Sequence, residues 1–172
     1  MRLKIHYAIS KIIYAELWET GINIKEISFL FGNIFPDLIF SFLWRRHEYK
    51  HSKDHFKKML DEIKNKSSFI SFKLGVITHY ISDYFCYSHM AIFNKGLISH
   101  IFYEMQQKIP IKLLKFDLPI INISIEELDS YVNWYESFRE FTNDDESDCQ
   151  IAATLALNFI VAEFSKNPYR FT

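Results

Sequence analysis

Residues 77–89 read ITHYISDYFCYSH, and both the fold and the chemistry of the chain turn on how that stretch is taken. It is apolar enough to be a buried helix, yet it carries His79, Asp83 and His89. A buried carboxylate without a partner is strongly unfavourable, so the sequence has to supply one. His79 and Asp83 are four residues apart and share a helix face. His89 lies six residues past Asp83, well round the cylinder and about 9 Å along it on a continuous helix. Either the chain bends after Asp83 or His89 serves a second ion.

Outward from this segment the pattern stays helical. Ile5, Ile9, Ile12, Ile13 and Leu17 give an apolar face to a helix from Leu3 to about Thr20, which Gly21 stops. Asn23 is a candidate N-cap for a short helix to Phe31, and GNIFPD (32–37) has turn composition. Further helices are expected over about 52–65, 68–87 (with Ser67 as cap), 95–108, 124–141 and 146–165. Ser124 and Glu127 form a capping box, 108–120 reads as a Pro-marked connector, and TNDDESD (142–148) reads as a polar turn. No period-2 strand, repeat or linker interrupts this. The expected fold is all-α, a compact multi-helix bundle occupying residues 1–172 as one domain.

Composition agrees. The 172 residues are 49% hydrophobic and 17% aromatic, with only 4 Gly and 4 Pro, so the core should be bulky and tight turns few. A net charge of −1 argues against a general binder of nucleic-acid backbones. Cys86 and Cys149 make no disulfide framework and read as reduced, buried thiols. His6, Lys11 and Glu16 interrupt any signal-peptide core, so a cytoplasmic location is expected. The apolar run 27–44 is broken by Gly32, Asn33, Pro36 and Asp37, so no transmembrane segment is expected.

All seven His fall within the first 100 residues, at 6, 47, 51, 55, 79, 89 and 100. The C-terminal helices therefore read as scaffold. His100 and Glu104 repeat the i,i+4 spacing of His79 and Asp83, the way helices present two ligands to one ion. Asp37 follows Pro36 where a carboxylate can point into a cleft. His and carboxylate without Cys suits Zn²⁺, and other divalent ions as well. Taken singly, each pair is an ordinary helix ion pair, Asp37 an N-cap, His6 a core residue, and His47, His51 and His55 one solvated face. Their order along one compact helical chain is what shifts the reading towards metal binding.

That order, His6, GNIFPD with Asp37, His51, HYISD with His79 and Asp83, His89, and HIFYE with His100 and Glu104, resembles bacterial zinc-dependent phospholipase C. The family shares an all-helical trinuclear zinc fold with fungal single-strand-specific nucleases. The resemblance implies up to three zinc ions. His51, His79 and Asp83 would ligate one, with His55 the weaker alternative to His51. Asp83 would bridge to a second that also takes His6 and the amino terminus of Met1. His89, His100 and Glu104 would ligate the third, and Asp37 would orient or deprotonate the attacking water. The implied reaction is hydrolysis of a phospholipid to diacylglycerol and a phosphorylated head group, with peripheral membrane contact. The alternatives are a nuclease or nucleotide phosphatase on the same fold, with nucleic acid as substrate, and a non-enzymatic metal-binding protein.

Overall fold

Helix α1 (Leu3–Glu19) buries one stripe completely, formed by Ile5, Ile9, Ile13 and Leu17. Each such side chain contributes about 1.5–3 kcal/mol when fully removed from water. Next to the stripe, His6 and Ser10 are buried as well. The helix ends as the sequence predicts: Gly21 takes φ +80° and its N–H bonds Trp18 O, while Ile22 N–H bonds Leu17 O. This computed structural model describes residues 1–39, 49–65, 68–90, 92–93, 97–106, 125–141 and 145–164.

The described residues form seven α-helices and one 3₁₀ turn, with no strand among them. After α1 come α2 (Glu26–Leu38), α3 (Tyr49–Lys64), α4 (Ile70–Tyr84), the 3₁₀ turn Tyr87–His89, α5 (Leu97–Gln106), α6 (Ile125–Phe141) and α7 (Asp145–Phe164). The all-α expectation is met. Ser67, Ser124 and the 108–120 connector lie outside the described residues, as do His47 and residues 40–44 of the apolar run. No described helix is long and apolar enough to cross a membrane.

Helix α4 is the centre. Every residue from Leu74 to Tyr84 is buried, and α2, α3, α7 and α1 pack around it. Its buried Thr78 and Ser82 donate their hydroxyls to carbonyls one turn back, Leu74 O and Thr78 O, each at 2.8 Å. Ser52 ties α3 to it through Tyr84 Oη at 2.9 Å. Cys86 and Cys149 are buried thiols that form no disulfide.

One stretch departs from the sequence reading. GNIFPD is helix, not turn: α2 starts at Glu26, with Lys25 rather than Asn23 in the cap position, and runs through Pro36 to Leu38. Pro36 lacks an N–H and forgoes the helical bond to Gly32 O, and the helix ends two residues later. Gly32 serves helix packing. A Cβ on it would lie 2.1 Å from Phe72 O, and one on Gly75 would lie 2.1 Å from Phe29 O and 2.7 Å from Asn33 N. The backbones of α2 and α4 therefore touch, with glycine on both sides of the crossing. That contact sets the depth at which α2 delivers Asn33 and Asp37 to α4.

Candidate metal centre

Helix α4 stops at Tyr84, directly after Asp83. The chain then bends, and the 3₁₀ turn brings His89 back until its Nε2 is 3.5 Å from Asp83 Oδ1. From α1, His6 lays its ring on that of His79, with centroids 4.0 Å apart. His6 Nε2 is 3.2 Å from Asp83 Oδ1, and His79 Nε2 is 3.2 Å from Oδ2. Asp37, in the last turn of α2, reaches the same place: its carboxylate is 4.0 Å from His6 Nε2 and 3.7 Å from His79 Nε2. From α5, Glu104 Oε1 lies 3.1 Å from both His89 Nε2 and His100 Nε2.

Two donor groups result, His6–Asp37–His79 and His89–His100–Glu104, each with ligand atoms within 4.8 Å of one another. Asp83 is fully buried between them, with Oδ1 serving His6 and His89 and Oδ2 serving His79. The amine of Met1 completes the arrangement, 2.9 Å from Asp83 Oδ1, 2.7 Å from Glu104 Oε1 and 2.6 Å from His89 Nε2. The resemblance grouped this amine with His6 and Asp83. In the structure it bridges from Asp83 to the α5 group.

The electrostatics suit metal ligands. Burial alone would raise the Asp83 carboxyl, but His89, the Met1 ammonium, His6 and His79 hold it well below the usual range. Burial likewise opposes ionisation of Glu104, and the ammonium and the two imidazoles overcome it, so this carboxyl too is held low. Burial lowers His79, helped by His6, and pushes His89 down to about 4. Asp83 and Glu104 are therefore held as carboxylates and His79 and His89 are driven towards neutrality, the protonation states a divalent metal needs. The Met1 ammonium is disfavoured by burial, yet Asp83 and Glu104 hold its pKa well above the ordinary value.

Zinc fits these residues. His6 is buried with neither ring nitrogen in a hydrogen bond, its Nε2 meeting Asp83 Oδ1 only as a 3.2 Å ion-pair contact, an omission worth about 1–3 kcal/mol per nitrogen that a metal bond would repair at one of them. The Met1 ammonium acts as a stand-in cation, ringed by Asp83, Glu104 and His89. Two imidazoles are also oriented from behind. His79 Nδ1–H donates to Asn33 O at 2.8 Å, and His100 Nδ1–H donates to Ser88 O at 3.0 Å. In each ring this leaves the Nε2 lone pair facing the carboxylates. Asn33 and Ser88 act through their backbones, so their residue types gave no signal. Only their positions did, Asn33 one turn before Asp37 and Ser88 beside His89.

His51 is not brought into either group. Helix α3 buries Ser52, Phe56, Met59, Leu60 and Ile63, and His51 lies on the exposed side of that stripe. His55 is half-buried, with its ring 5.9 Å from that of Tyr80, and it too is outside both groups. Asp37, expected only as a catalytic carboxylate, stands within a donor group.

The sequence model of the zinc-dependent phospholipase C family matches residues 5–149, which takes in His6, Asp37, His79, Asp83, His89, His100 and Glu104. No curated protein and no solved structure matches the chain. With most of its length matched, and with two His–carboxylate groups sharing one buried aspartate in an all-α fold, this chain belongs to the zinc-dependent phospholipase C family.

Proposed function

We propose that the protein is a zinc-dependent phosphodiester hydrolase of phospholipase C type, releasing diacylglycerol and a phosphorylated head group. The observation that carries this reading is the sharing of Asp83 between two donor groups, one of which contains a buried imidazole with neither ring nitrogen hydrogen-bonded. His6, His79 and Asp83 would hold zinc on one side, and His89, His100 and Glu104 on the other, with the Met1 amine between Asp83 and Glu104. When bound, zinc supplies Lewis acidity, lowering the pKa of water and neutralising the oxygens of a phosphodiester. Asp37 is the carboxylate of the first group that reaches solvent, 20% exposed where His6, His79 and Asp83 are fully buried. It is placed to orient the attacking water and take its proton on Oδ1 or Oδ2.

The test is zinc content per chain together with a screen of phospholipid vesicles, single-stranded DNA and mononucleotides, for wild type and Asp37→Asn. Asp37→Asn is expected to fold, to keep the zinc of the His89–His100–Glu104 group, and to lose about 10²–10⁴-fold in rate. Retained turnover would take Asp37 out of the mechanism. Hydrolysis of DNA but not lipid would favour the nuclease reading. A zinc-bound protein that hydrolyses nothing would favour a metal-binding role.

Helix α5 favours lipid. It is amphipathic in reverse: His100, Tyr103 and Glu104 are turned towards the protein, while Ile98, Ile101, Phe102 and Met105 are exposed by 72, 49, 59 and 57%. Their i, i+3, i+4, i+7 spacing makes one outward apolar stripe on the helix that supplies two metal donors. Such a stripe would set the site against a lipid surface. Phe102→Asp is expected to lower hydrolysis of vesicle phospholipid by about 10-fold or more, the free energy of one buried aromatic side chain. Turnover of a short-chain, water-soluble phosphodiester should stay within about two-fold of wild type by the same reasoning, because no lipid surface is involved. An equal fall on both substrates would remove the stripe from lipid contact.

A further inference from the structure

The C-terminal helices contain no His, and on sequence they are scaffold. One buried carboxylate on α7 does more. Asp148 is fully buried in the first turn of that helix. Its Oδ2 accepts the Tyr103 hydroxyl at 2.6 Å and the backbone N–H of Tyr87 at 3.2 Å. Its Oδ1 accepts the Tyr135 hydroxyl and lies 3.1 Å from Arg139 Nε. The Arg139 guanidinium covers the Tyr87 ring at 4.8 Å and donates to Tyr103 Oη at 3.2 Å.

The residues on Oδ2 neighbour the metal donors. Tyr87 opens the 3₁₀ turn that ends in His89, and the middle residue of that turn, Ser88, supplies the carbonyl that orients His100. Tyr103 precedes Glu104 on α5, one turn after His100. The Tyr87 and Tyr103 rings meet edge to face, 5.5 Å apart. A single oxygen thus fastens the turn bearing His89 to the helix bearing His100 and Glu104. Neither segment is long: the turn has three residues and α5 has ten, too few to hold a fixed geometry unaided. The residues on Oδ1, Tyr135 and Arg139, belong to α6, which carries no donor of either group.

We infer that Asp148 is a positioning residue for the His89–His100–Glu104 site, clamping together the two segments that carry its three donors. The inference rests on the reading that this group binds zinc. Orienting contacts of this kind change metal affinity by about 10–100-fold when lost.

The test is zinc affinity of the full-length protein against a competing chelator, with the visible spectrum of Co²⁺-loaded protein as a second readout, for wild type, Asp148→Asn, Tyr103→Phe, Tyr135→Phe and Glu104→Gln. Asp148→Asn should weaken one zinc by about 10–100-fold and alter the Co²⁺ spectrum. Tyr103→Phe should weaken the same zinc. Tyr135→Phe, which removes a hydroxyl from the same carboxylate, should leave that zinc within about two-fold, since its helix bears no donor. Equal effects of the two tyrosine variants, or wild-type zinc binding in a folded Asp148→Asn protein, would overturn the inference. Should Asp148→Asn fail to fold, the tyrosine pair alone decides. Glu104→Gln separates the two levels: unchanged zinc binding there would show that the group holds no zinc, and the clamp would fall with it.

Discussion

Asp83→Asn should remove zinc from both donor groups at once and abolish hydrolysis. Among the described residues its carboxylate is the one group in contact with His6, His79, His89 and the Met1 amine. Amide replacement leaves the shape but removes the negative charge and one acceptor oxygen. The rate should fall by about 10³-fold or more, since several kcal/mol of Lewis-acid stabilisation goes with the metals. Stability should fall too. A fully buried ammonium and three imidazoles would face a neutral amide, and breaking a buried charge network costs about 3–5 kcal/mol. For a chain of this size that is a drop of about 6–20 °C in Tm. Elemental analysis and calorimetry check both. A variant that keeps zinc in both groups would show that the aspartate is not shared, and the observation on which the proposed function stands would be gone.

The contrast with Asp37→Asn is informative because both residues are carboxylates among the same imidazoles. Asp37 is at the solvent side and Asp83 in the interior. Loss of the first should act on rate and on the zinc of its own group, and loss of the second on the zinc of both groups, on rate and on folding together. Similar stability losses in the two would mean that the depth difference carries no energetic weight.

How far the sequence led depended on which physical signal each feature carried. Helix α1 was legible because four fully buried residues recur at helical spacing and a glycine ends them. The pairing of His79 with Asp83 and of His100 with Glu104 was legible for the same reason, as periodicity on one helix. GNIFPD was misread because Gly and Pro carry turn signals locally, whereas Gly32 answers to a helix forty residues on, which no local window contains. The surroundings of His51 and His55 carried no such signal, because the apolar stripe of α3 decides which residues face inward, and His51 lies outside it while His55 is half-buried. Asp148 was hidden for another reason. It sits in a run of acidic residues read as a polar turn, and only the fold reveals that this one is buried under two tyrosines and an arginine.

The glycine contact between α2 and α4 carries the second large prediction. In an exposed helix Gly→Ala stabilises by about 1 kcal/mol. At Gly75 the sign should reverse. The new Cβ would meet Phe29 O at 2.1 Å, Asn33 N at 2.7 Å and Gly32 Cα at 2.9 Å, all backbone atoms that cannot swing aside. Helices α2 and α4 must part, and overpacking of this kind costs about 1–3 kcal/mol. The chemical consequence is larger than the stability loss. The Asn33 O to His79 Nδ1 bond is 2.8 Å now, and a shift of about 1 Å takes it out of hydrogen-bonding range. The His79 ring then loses its fixed tautomer, and Asp37, carried on the same helix, retreats with Asn33. Gly75→Ala should therefore weaken zinc at His6–Asp37–His79 by about 10-fold or more, while His89–His100–Glu104, which is carried on other segments, stays near wild type. Gly21→Ala is the matched control. Nothing lies within 4 Å of its Cβ and only its φ of +80° is strained, so it should cost stability by about 1 kcal/mol and leave both metal groups intact. Wild-type zinc affinity in Gly75→Ala would mean that helix spacing does not set the geometry of the first group, and the burden of positioning would shift to the His6–His79 stack.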